Sequence, residues 1–81
     1  MTPGANMNFY EWVIQKSKSI GMNPLEIFER CKVHPYLLKN WKEGRRPRRY
    51  SMIPIIKEIS KQSKENYEEL LIEGIHTENY K

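Results

Sequence analysis

The chain has 81 residues, with fourteen lysines and arginines against ten glutamates, no aspartate and a net charge of +4. That length suffices for one small core and leaves no room for a deep catalytic cleft beside it. One cysteine, Cys31, excludes an internal disulfide, Cys31 with two histidines lacks the paired spacing of a zinc site, and no apolar run nears the ~20 residues of a membrane span.

Residues 1–7 show no periodicity and read as a flexible leader. Asn8 and Glu11 have capping-box spacing, so a first helix should start there and run to about Ile20, with Phe9, Trp12, Val13, Lys16 and Ile20 along one side. Gly21 supplies the stop. Asn23 is the next cap, with Pro24 at the first helical position and Glu26 at the third. Leu25, Ile27, Phe28 and Cys31 would form the buried side of that second helix. It must end near Lys32, because His34 and Pro35 begin a third, as cap and first residue. Helical projection then turns Leu37, Leu38 and Trp41 inward and Tyr36, Lys39, Asn40 and Glu43 outward, with Pro35 and Lys42 on the flank.

Gly44 ends the third helix. Ser51 is the expected cap of a fourth, with Pro54 tolerated in its first turn and Met52, Ile55, Ile56 and Ile59 as its apolar stripe. Ser63 would cap a fifth carrying Tyr67, Leu70, Leu71 and Ile75, ending near Gly74, before a frayed tail over 76–81. No strand-type alternation competes anywhere. The expected fold is all-α with five helices, one domain over 8–75.

Charge is unevenly spread along this frame. Lys39, Lys42, Arg45, Arg46, Arg48 and Arg49 place six basic residues within eleven positions, whereas Glu65, Glu68, Glu69 and Glu73 make the far end acidic. Four arginines around a prolyl turn, pinned between two buried stripes, point to a polyanion more than to solvent. Trp12, Phe28, Leu38, Trp41 and Ile59 lie at helical spacing on buried stripes and read as core, which leaves no aromatic platform for single strands. No carboxylate pair, activated nucleophile or phosphate-cradling glycine loop is present, so an enzyme is not expected, nor any cofactor.

Taken together, Asn23-Pro-Leu-Glu-Ile27, the stretch Val33–Gly44, Trp41-Lys-Glu-Gly-Arg-Arg-Pro47, Ile55-Ile-Lys-Glu-Ile59 and Tyr67-Glu-Glu-Leu-Leu71 resemble the phage repressor/Cro-type, or lambda-repressor-like, helix-turn-helix family over residues 9–73. Three positions depart from its pattern: Phe28 stands where the family usually has alanine, Lys32 where glycine allows a left-handed turn, and Pro24 where a polar residue often touches phosphate. The resemblance implies a sequence-specific regulator that binds double-stranded DNA, most simply a repressor, in a bacterial or phage-infected cytoplasm. Its third helix would enter the major groove and bring Pro35, Tyr36, Lys39 and Asn40 to base edges. Asn40 suits adenine and Lys39 suits guanine. Lys42, Arg45, Arg46, Arg48, Arg49 and Tyr50 would hold phosphates, as would the backbone near Asn23 and Leu25. Tyr67, Leu71, Ile72 and Ile75 offer a homodimer surface. A second reading keeps the fold and makes it a protein-interaction module, an antitoxin or phage-encoded inhibitor with a protein partner; Glu43 on the reading face and the bulky Phe28 favour it.

Overall fold

A computed structural model of the chain describes residues 7–79. Residues 1–6 of the expected leader and 80–81 of the expected tail lie outside the described residues. The described chain is all-helical: α1 (Phe9–Ser19), α2 (Pro24–Arg30), α3 (Tyr36–Lys42), α4 (Arg49–Ser63) and α5 (Tyr67–Asn79), with no strand among the described residues. No helix in that span is long and apolar enough to cross a membrane.

Local chemistry sets the first helix starts. At α1 both halves of the capping box form, Glu11 N–H donating to Asn8 Oδ1 at 2.8 Å and Asn8 N–H to Glu11 Oε1 at 3.3 Å. At α2 the Leu25 N–H donates to Asn23 Oδ1 at 2.9 Å, and Pro24 opens the helix where a missing N–H matters least. The start of α3 uses a histidine: Tyr36 N–H donates to His34 Nδ1 at 3.3 Å, while Pro35 already holds helical angles (φ −64°, ψ −24°). The His34 ring thus takes up the Tyr36 N–H, but the cap position itself falls on Pro35, one residue later than expected, and Tyr36 is the first helical residue.

The first three helices end in one way. Beyond each, a residue with positive φ donates to the carbonyl three back, and the next residue donates to the carbonyl five back, the paired bonds of a Schellman motif. These are Gly21 to Lys18 (3.2 Å) with Met22 to Ser17 (2.9 Å), Lys32 to Glu29 (3.2 Å) with Val33 to Phe28 (2.9 Å), and Gly44 to Trp41 (3.1 Å) with Arg45 to Asn40 (3.0 Å). Gly21 and Gly44 adopt φ of +71° and +105° at no steric cost; Lys32 adopts +62° with a Cβ in the way. The α2–α3 turn thus keeps a glycine-type geometry without the glycine, and buried Val33 and Phe28 supply the apolar contact that accompanies the motif.

The core is threaded by aromatic rings. Phe9 stacks on Trp12 with centroids 5.5 Å apart, and the Trp41 ring meets both Phe9 and Phe28 edge-on, again at 5.5 Å. Helices α1, α2 and α3 therefore converge on Trp41, and Ile55, Ile56 and Ile59 of α4 complete the centre. Phe28 is fully buried as this bridge. The close helix pairs are α4–α5, α1–α5, α2–α4, α1–α2 and α1–α3. The α2–α3 pair is not among them and meets through the Phe28 and Trp41 rings, as a bulky residue there requires.

Five expectations need correction. Leu25 is 49% exposed, not buried, because it lies ~200° round the helix from Ile27. α4 begins at Arg49, not after Ser51: Arg48 is extended, and its carbonyl accepts from Ser51 and Met52 at 2.9 and 3.0 Å. Ser51 is consequently a buried residue of the first turn, and Pro54 stands inside the helix. The cap of α5 is Asn66, whose Oδ1 accepts from Glu69 N–H at 3.0 Å, while the Ser63 hydroxyl accepts from Glu65 N–H in the preceding turn at 3.2 Å. Gly74 does not end α5, which continues to Asn79 through residues expected to fray. Instead Gly74 is a contact glycine: a Cβ there would lie 2.9 Å from Ile56 Cδ1 and 3.3 Å from a Phe9 ring carbon. Met7, assigned to the leader, packs against the core.

A polar clamp fastens α1 to α5. The Trp12 indole N–H donates to Glu73 Oε1 at 2.7 Å, and Lys16 Nζ lies 3.4 Å from the same oxygen and 3.2 Å from Glu65 Oε1. Two of the four glutamates at the acidic end are therefore partnered within the domain.

Candidate functional site

The α3–α4 connection and the start of α3 enclose an open groove of about 830 Å³. His34, Tyr36, Leu37, Asn40 and Trp41 line it from α3 and the turn before it, and Arg45, Arg46, Arg48, Tyr50 and Ser51 from the connection and the first turn of α4. The geometry follows from the local bonds described above. The Gly44 turn ends α3 with Arg45 tied to the Asn40 carbonyl, and the extended Arg48 then starts α4, so that both Asn40 and Arg48 line the groove. The His34 and Tyr36 rings contact edge to face, centroids 4.5 Å apart, so the ring before α3 also braces a lining residue.

The groove is cationic by construction. Its lining residues include no carboxylate. The N-terminus of α4 adds to this: it has no acidic residue in its first turn and no side-chain cap, yet Arg48 and Arg49 stand at its positive end. Arginines at that end of a helix repel the dipole, and an anion between them would remove the conflict. Guanidinium groups, tyrosine hydroxyls and the Asn40 amide suit phosphate or carboxylate oxygens and base edges.

Of the residues expected to touch bases, Tyr36 and Asn40 enter the groove, Tyr36 58% exposed and Asn40 half-buried. Pro35 and Lys39 are exposed on α3 but do not line it. Of the expected phosphate contacts, Arg45, Arg46, Arg48 and Tyr50 line it, whereas Lys42 and Arg49 are exposed beside it and Asn23 and Leu25 are not part of it. The Leu25 N–H is already engaged by Asn23 Oδ1. His34, Leu37, Trp41 and Ser51 complete the groove and escape the sequence reading as site residues; only the His-Pro-Tyr run before α3 hints at one of them. On α5, Tyr67, Leu71 and Ile75 lean partly on their own core, and Ile72 stands 70% exposed.

Cys31 is half-buried beside this helix pair, its Sγ 3.6 Å from the Phe28 carbonyl. Burial raises its thiol above the ordinary value; the Val33 backbone opposes that, and the Glu58 carboxylate adds to it. Such a thiol is a poor nucleophile. Among the described residues no group of three potential ligands could hold a metal ion.

Compared with known families, curated proteins and solved structures, the chain gives no match.

Proposed function

We propose that the chain is a sequence-specific binder of double-stranded DNA with a lambda-repressor-like helix-turn-helix, acting as a small transcriptional regulator, most simply a repressor that pairs two-fold through α5. The observation that carries this reading is the acid-free groove that sets the outward residues of a short exposed helix beside an arginine segment. In the proposed complex α3 enters the major groove. Tyr36, Lys39 and Asn40 meet base edges there, while Arg45, Arg46, Arg48 and Tyr50 hold the adjoining phosphate strand. The left-handed Lys32 and the compact α2–α3 turn support the helix-turn-helix assignment, because they reproduce the glycine-type backbone that such a turn uses.

The test is selection of bound duplexes from a random pool by the purified chain at about physiological salt. Enrichment of an inverted repeat with half-sites about one helical turn, ~34 Å, apart is the expected result. Asn40→Ala and Lys39→Ala should then relax particular positions by about 1–3 kcal/mol each. A lone half-site would remove the dimer and keep the DNA reading. No enrichment would overturn the reading and favour a protein-interaction module.

A further inference from the structure

The cationic surface does not stop at the groove. On α4, Tyr50, Lys57 and Lys61 fall within about 40° of one another around the helix at ~100° per residue, and the left-handed C-cap residue Lys64 follows them at its end. All four are exposed, and they run about 21 Å along the axis at ~1.5 Å per residue. Every exposed charged residue of α4 is basic; its one glutamate, Glu58, is buried and accepts from Gln62 Nε2 at 2.6 Å. Among the described residues Lys57, Lys61 and Lys64 make no ion pair. An ordinary solvated helix face intersperses both signs, as α2 does with Glu26 and Arg30. The helix dipole accounts for Lys61, in the last turn, but not for Lys57 in the middle or for Arg49 at the opposite end.

We propose that this ridge is a second phosphate-tracking surface. The backbone of the bound duplex continues past the groove along α4, contacting Lys57, Lys61 and Lys64 in turn. The inference rests on the DNA reading above and extends its footprint. Continuity argues for it, since Tyr50 belongs to both the groove wall and the ridge. Composition argues against other occupants. The ridge has no large exposed apolar residue besides Tyr50, whereas a protein hot spot or a membrane-surface helix needs apolar anchors between its charges. Lysines about one helical turn apart provide point charges without fixed geometry, which suits a backbone held regardless of sequence.

The experiment measures affinity for a mixed-sequence duplex of about two helical turns across a salt series, comparing the wild-type chain with Lys57→Gln/Lys61→Gln/Lys64→Gln. All three side chains are exposed, and glutamine keeps the left-handed residue 64 no more strained than lysine. With about 0.9 of a unit of log–log slope per neutralised phosphate, the triple variant should lose about 2.7 units. The affinity drop between about 50 and about 200 mM salt would then be about 40-fold smaller than in the wild type. A triple arginine variant at the same positions should retain the wild-type slope. An unchanged slope in the glutamine variant overturns the ridge and leaves the groove reading standing. A wild-type chain without salt-dependent duplex binding would instead overturn the DNA reading, and this inference with it.

Discussion

Lys32 is the most exacting point at which to test the backbone of the α2–α3 turn. Its φ of +62° costs an L-residue about 1–2 kcal/mol relative to the right-handed regions. Lys32→Gly removes that strain but gives the unfolded chain more freedom, worth about 0.4–1 kcal/mol in the opposite direction. The side chain is exposed and makes no hydrogen bond or ion pair among the described residues, so nothing else should be lost. The net expectation is stabilisation by about 0.5–1 kcal/mol, or ~2–8 °C in melting temperature for a domain of this size. Thermal and urea unfolding of the wild type, Lys32→Gly, Lys32→Ala and Lys32→Val give the reading. Alanine should match lysine, and valine, branched at Cβ, should fall below both. A glycine variant no more stable than the wild type would refute the left-handed assignment and the Schellman bonds of Lys32 and Val33 built on it.

Further expectations concern packing and chemistry. Gly74→Ala gains about 1 kcal/mol of helix propensity but forces a methyl against Ile56 and Phe9, typically costing about 1–3 kcal/mol, so a net loss of about 1 kcal/mol in urea unfolding is expected. A gain of stability there would show that α5 does not approach α4 and α1 so closely. Glu73→Ala leaves the Trp12 indole N–H unpaired and should cost about 1–2 kcal/mol, whereas Glu68→Ala should stay within about 0.5 kcal/mol. Equal effects of the two would dissolve the clamp. The Cys31 thiol should alkylate more slowly than a free thiol at pH 8. Because its folded pKa is raised, its contribution to stability is complete below the ordinary value of 9.0 and is lost as pH rises through the folded value. A Cys31→Ala variant should therefore lose less stability than the wild type over that alkaline range.

The helix starts at Asn8 and Asn23 were legible because a cap is a local event, written in a side chain and the N–H groups two or three residues on. The same holds for the ends at Gly21 and Gly44. Starts that depend on distant packing were not legible. Arg48 and Arg49 carry no capping signal, and α4 begins there with Arg48 extended and Ser51 buried in the first turn. Gly74 resembles a terminator in sequence; only the proximity of Ile56 and Phe9 shows that its missing side chain makes room for a neighbour. In the site, linear order alone suggested that Asn40 and the arginines belong together. It could not sort Arg45, Arg46 and Arg48 from Lys39 and Arg49, because the facing side of the loop is decided by where α4 starts. Lys57, Lys61 and Lys64 form no dense run along the sequence either, and adjoin only on the folded helix.

The bond from Arg45 N–H to the Asn40 carbonyl has a mechanical consequence. It closes the turn at the end of α3, so the first arginine of the loop leaves that helix on a course held by main chain alone and owing nothing to side chains. Outward positions of α3 can then be exchanged as interchangeable heads on a fixed handle, Tyr36 and Lys39 included, without resetting the arginine rim. Inserting or deleting one residue between Trp41 and Gly44 would do the reverse: it preserves every side chain of the rim and throws the arginines out of phase with α3.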